Sequence, residues 1–189
     1  MNRLISITTL FLTIITASLS FADNGNKTGS ELLQNRAESV SFDGKTYHLS
    51  WINVDGSNIT NEYLIKGYNL ENWQSMIASR IYMQARNLKE VLPVYVKSIK
   101  PYMANKPEFY KSEHIKSPHV IIEAFLLAPD KSYYEYNLHL FKETPKGVVA
   151  YQFAEKLPFK KELDVTDIVK SRGNRLDLLS KMELEFFKK

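Results

Sequence analysis

From Thr46 onward this chain carries a series of runs rich in β-branched and aromatic residues, several alternating apolar with polar in the period of a strand. Thr46 to Val54 (TYHLSWINV) is β-branched and aromatic, and Asp55-Gly56 follows as a turn. Thr60 to Lys66 forms a second strand-like run that Gly67 ends. Further on, His119 to Ala128 (HVIIEAFLLA) reads as a buried strand and Pro129-Asp130-Lys131 as a turn. Tyr133 to Phe141 (YYEYNLHLF) alternates, and Thr144-Pro145-Lys146-Gly147 turns again. Val148 to Glu155 (VVAYQFAE) then closes a three-strand meander.

Two segments carry a helical signal. Asn87 and Glu90 have capping-box spacing, so a helix is expected over 88–103. Leu88, Val91, Leu92, Tyr95, Ile99 and Met103 would share one face, with Pro93 in the early turns as a kink. A second helix is expected from Asp164 or Thr166, broken at Gly173, with Leu176, Leu179, Met182 and Phe186 as its packing stripe. Residues 73–83 fit either period; their alternation, with Ile77 and Ile81 on one side and Met76 and Arg80 on the other, reads as a strand. Strand runs separated by isolated helices predict an α+β fold: a curved antiparallel sheet of about six strands with helices packed on it.

The start of the chain has a different pattern. Arg3 precedes an apolar run from Leu4 to Ala17, and Ser20-Phe21-Ala22 has small residues three and one positions before a cleavage point. That order is a secretory signal peptide, so residues 1–22 are expected to be removed. Residues 23–40 read as a flexible polar leader, and 41–189 as a single α+β domain. The expected location is the periplasm or the exterior of a Gram-negative cell, with no transmembrane anchor.

The balance of 25 Lys and Arg against 21 Asp and Glu gives +4, and loss of Arg3 leaves +3. The charges mix along the chain instead of forming a basic block, so no nucleic-acid partner is expected. With no cysteine, the domain must hold by packing alone, and a thiolate nucleophile, a thiolate metal site and a lipid-acylated cysteine are excluded.

Candidate chemistry is sparse. His114 and His119 are five residues apart, a spacing that suits neither a helical nor a strand metal pair, so no metal or cofactor is expected. Glu123 and His139 fall in neighbouring strands around the 129–132 turn. A register pairing 123 with 139 would set a carboxylate beside a histidine, the arrangement of an oriented general base. A slip of one residue would send them to opposite faces. His48 beside Trp51 is the other histidine a hydrolase reading can use. If Tyr134, Tyr136, Leu138 and Leu140 point inward, then Tyr133, Glu135, Asn137 and His139 form the solvated face of their hairpin and the expected binding surface.

Tyr68-Asn69-Leu70-Glu71-Asn72-Trp73, followed by a short alternating run and a helix, resembles a phrase in small exported proteins of proteobacteria of uncharacterised function. That group also has an aromatic hairpin and a later run similar to Tyr151-Gln152-Phe153-Ala154; the resemblance spans roughly residues 46–156. This chain departs from the phrase in having no proline before Glu71. The element order looks like a PsbP-type α/β sandwich, which implies a fold and no functional residues. The expected function is that of an exported, non-enzymatic accessory protein binding a protein, a peptide or a small ligand through its sheet or hairpin edges. The alternative is a small secreted hydrolase using the His139 and Glu123 pair.

Overall fold

In the computed structural model, residues 37–56, 58–160 and 162–183 are described. Two antiparallel meanders make up the sheet. The first comprises β1 (Ser39–Phe42), β2 (Lys45–Asp55), β3 (Asn58–Ile65) and β4 (Ser75–Tyr82). The second comprises β5 (Glu108–Tyr110), β6 (His119–Leu127), β7 (Tyr133–Thr144) and β8 (Gly147–Pro158). They join through β4 and β8, giving one open eight-stranded sheet in the order β1-β2-β3-β4-β8-β7-β6-β5.

This order obliges the chain to travel from the sheet centre at β4 to the far edge at β5. It does so through helix α1 (Leu88–Ile99), which covers one face. Val91, Tyr95 and Ile99 pack there on Ile122, Ala124, Leu126, Phe141, Val148 and Ala150. The Asn87 carboxamide oxygen accepts from Lys89 N, and Glu90 accepts from both Arg86 N and the Asn87 carboxamide. The amide of Leu88 donates to Glu143, which ties the helix start to β7. Pro93 lies inside the helix without ending it; one tight turn, Lys100–Tyr102, extends it.

Helix α2 (Thr166–Ser180) lies on the other face, where Ile168 and Leu179, with Met182 just beyond the helix, join Tyr63, Ile77, Leu138, Leu140, Tyr151 and Phe153. It runs through Gly173 unbroken, because no tertiary contact or strained backbone angle forces a stop there. Its electrostatic anchor is Arg175, which donates to Asp43 at 2.8 Å and Glu155 at 2.8 Å and lies 4.7 Å from the centre of the Phe153 ring.

The strands expected near 46–54, 60–66, 73–83, 119–128, 133–141 and 148–155 all form. The sheet is wider than six strands because β1 (SVSF) and β5 (EFY) are too short to carry a readable alternation. The signal-peptide region, residues 23–36 of the expected leader and Phe186 of the expected stripe lie outside the described residues. β1 begins at Ser39, inside the segment expected as leader.

Gly147 closes the β7–β8 turn at φ +124, and a Cβ there would stand 2.3 Å from the Tyr82 carbonyl oxygen. Backbone conformation and space both require glycine at this point. Gly147→Ala is therefore expected to cost more than about 1 kcal/mol in urea denaturation, with the β4–β8 junction the part disturbed.

Candidate functional site

The Glu123 and His139 pair does not form. The observed register sets Ile122 opposite His139 and Glu123 opposite Leu138, one residue away from the expected pairing. The intervening turn decides this. Asp130 accepts from the Ser132 amide at 3.0 Å and hydroxyl at 2.6 Å, and Lys131 takes φ +57. The turn thus centres between Asp130 and Lys131, and with a period of two the residues land on opposite faces.

Glu123 instead anchors the α2 side. Tyr110 donates to it at 2.7 Å, Tyr136 at 2.9 Å and Arg172 Nε at 3.0 Å. A carboxylate with three donors and 2 % exposure joins β6, β7, the β5 edge and α2 in one contact. It holds the fold together and is spent in doing so.

Tyr133, Glu135, Asn137 and His139 do share a face, as the alternation predicts. That face is not solvated. Glu135, Asn137 and His139 are 4 %, 1 % and 0 % exposed, and Tyr133 is half-buried. The reason is the α1 crossover: a helix packed on each side leaves the centre of this sheet with no wet face.

What the hairpin meets there was not legible in the sequence. Asn137 Nδ2 donates to Glu135 Oε1 at 3.0 Å, and Gln152 Nε2 donates to Asn137 Oδ1 at 2.6 Å. Arg80 Nη1 then donates to Gln152 Oε1 at 2.7 Å. Glu62 stands at the end of this row, 4.0 Å from Arg80 Nη2, close enough to attract but too far to hydrogen-bond. The polar row thus crosses β7, β8, β4 and β3. It lies between the apolar cluster under α1 and a second cluster of Leu64, Trp73, Met76, Ala78 and Ala154.

Several buried atoms of the row have no hydrogen-bond partner among the described residues: both Glu62 oxygens, Arg80 Nε and Nη2, Glu135 Oε2 and both ring nitrogens of His139. Native proteins leave few such groups, because each forfeits its hydration. The electrostatics follow. Burial pushes the Glu62 carboxyl up to about 7 against the pull of Arg80, and burial also raises Glu135. His139 is held well below the ordinary histidine value, by burial first and by Arg80 second. Its ring stacks on Phe141 at 4.5 Å and meets the edge of Tyr95 at 4.6 Å, so it is a packed neutral ring. Lys156 flanks the row, 4.4 Å from the Trp73 ring centre and 4.7 Å from that of Tyr133.

The remaining histidines sit elsewhere. His119 Nε2 accepts from the Ser112 amide at 2.9 Å, which leaves Nδ1 to donate to the Ser117 carbonyl at 2.9 Å. His114 faces Asp177 at 3.1 Å. His48 is exposed on β2. Among the described residues no group of three or more His, Asp or Glu side chains is placed to hold a metal ion.

The molecule is thus an α+β protein whose open antiparallel sheet carries a helix on each face and a buried polar row beneath one of them. It belongs to a family of uncharacterised proteins whose model matches residues 35–184. No curated protein and no solved structure matches the chain. Among the described residues, no helix is long and apolar enough to cross a membrane.

The raised Glu62 carboxyl predicts a particular pH dependence. A carboxyl that titrates near 7 when folded and near 4.5 when unfolded holds its proton in the folded state. Its contribution to stability therefore falls as pH rises from about 4.5 to 7 and is level above that. His139 acts in the opposite sense, since its depressed value costs stability as pH falls below about 6.5. Glu62→Gln removes only the first effect. Its stability relative to the parent chain should rise between pH 4.5 and 7 by an amount of the order of 3 kcal/mol, read from denaturation midpoints across that range.

Proposed function

We propose that this chain is an exported, non-enzymatic accessory protein of the bacterial envelope or secretome that binds a protein or peptide partner along its sheet edge. The observation that carries the reading is the outer edge of β2. β1 pairs with Lys45 to His48 alone, and β2 continues to Asp55. Along residues 50–55 no further strand among the described residues covers that edge. A register shift between Leu49 and Trp51 separates the covered part from the uncovered part. Beyond it, Ile52 and Val54 alternate on one face, each 37 % exposed.

An uncovered edge offers main-chain donors and acceptors, and alternate apolar side chains give a partner strand something to bury. The fitting partner is an extended segment with apolar residues at every second position. The amino-terminal pattern of Arg3, an apolar run and Ser20-Phe21-Ala22 supports export. A hydrolase built on His139 and Glu123 has no support, since the two side chains lie on opposite faces.

Two measurements test the reading. Sequencing the protein recovered outside the cytoplasm should give an amino terminus at Asp23; full-length protein confined to the cytoplasm would refute export. The mature chain should capture a stoichiometric partner from its native envelope or medium and gain amide-exchange protection over residues 50–55. Ile52→Lys with Val54→Lys should lower that affinity at least about tenfold while leaving the fold intact. Equal capture by the variant, or none by the parent chain, overturns edge binding.

A further inference from the structure

The most anomalous group in the molecule is Arg80. It sits on the central strand β4, 2 % exposed, and among the described residues only one of its terminal nitrogens is satisfied, by Gln152. The two donors left without a partner among the described residues, Nε and Nη2, lie on the same edge of the guanidinium. Together they form the side-on fork whose two parallel N–H groups match the two oxygens of a carboxylate.

Glu62 is the nearest protein carboxylate, yet it does not fill the fork. Its oxygens have no hydrogen-bond partner among the described residues, and the closer one stops 4.0 Å from Nη2. Its strand holds it there: Glu62 pairs with Ala78, one diagonal step from Arg80. With burial pushing its carboxyl up to about 7, much of the population at neutral pH carries a neutral Glu62. Arg80 is then a buried cation with no hydrogen-bonded anion among the described residues, a state that an external anion would relieve.

The surroundings suit a small ligand. Ala78 and Ala154, both fully buried, belong to the Trp73 cluster that borders the row. Glu135 Oε2 and the His139 nitrogens are unpaired among the described residues and can receive donors carried by the same molecule. Over the row lies Tyr95, whose hydroxyl is pushed up by burial and is close enough to feel both Arg80 and Glu135. Tyr95 stands two residues after Pro93, which has no N–H to give the Lys89 carbonyl, so α1 lacks one backbone hydrogen bond in that turn.

We propose that the polar row beneath α1 is a binding site for a small carboxylate, anchored on the Nε and Nη2 fork of Arg80, with Glu62 as its resident competitor. The site is separate from the β2 edge, and either can exist without the other.

The test uses the mature chain, labelled for NMR, titrated with sodium succinate and with sodium glutamate against sodium chloride at matched ionic strength. The Arg80 Nε–H signal and the side-chain amides of Gln152 and Asn137 should shift saturably with one of the carboxylates and not with chloride. A dissociation constant of about 1 mM or tighter is expected. Arg80→Lys keeps the charge and loses the fork, and should weaken binding by about tenfold or more. Glu62→Gln removes the competing carboxylate; the expected result is tighter binding above about pH 7, where Glu62 ionises, with the fall in affinity that the parent chain shows as pH rises through that value abolished. Should Arg80→Lys fail to fold, the Glu62→Gln comparison decides alone. An unshifted Arg80 signal with both salts, equal binding by Arg80→Lys, or unchanged binding by Glu62→Gln would each overturn the proposal.

Discussion

The pairing of β4 with β8 is the constraint on which the other features of this molecule depend. It runs from Ser75 opposite Glu155 to Tyr82 opposite Val148, and it joins residues far apart in the chain. Each meander alone would be a four-stranded sheet with an open edge on both sides. Joined at the centre, they share one sheet with two long-range faces. The close approach of Gly147 to the Tyr82 carbonyl marks one end of this seam, and the Tyr47 hydroxyl, 3.1 Å from that of Ser75, marks the other.

The seam also explains the helices. A chain leaving the central strand β4 for the far edge must cross β8, β7 and β6, and the crossing element must bury an apolar stripe on them. Helix α1 does this with Val91, Tyr95 and Ile99. The opposite face needs its own cover, which α2 provides, pinned by Arg175 and Arg172 to carboxylates of the sheet and the β1–β2 turn. The two faces are therefore held differently. The α2 side closes over satisfied ion pairs, while the α1 side closes over the Arg80 and Glu62 pair, whose two side chains are not hydrogen-bonded to each other.

That asymmetry is energetically unusual. The α2-side carboxylate Glu123 has three donors, whereas Glu62 on the other side has none among the described residues. A fold selected for stability alone would replace the α1-side row by apolar residues, since a well-packed apolar core is commonly as stable as a buried ion pair or more so. The cost is concentrated around Arg80, with Ala78 and Ala154 close by, and this separates the row from ordinary core packing.

Alternation and turn chemistry by themselves determined where six of the strands lie and that an antiparallel sheet with packed helices results, because period two and Asx or glycine turns are local properties. They also put Tyr133, Glu135, Asn137 and His139 on one face, since parity within a strand is local too. The sequence signal for the rest of the row was present but mute: Arg80 and Glu62 are charges set in strands that prove to be buried on both faces. Which charges meet depends on register between strands, and which face is dry depends on where a crossover helix comes to rest. Both are long-range quantities. The turn at Asp130 and Lys131 shifted Glu123 away from His139, and the β4 to β5 crossover buried the hairpin face that alternation alone would leave in water.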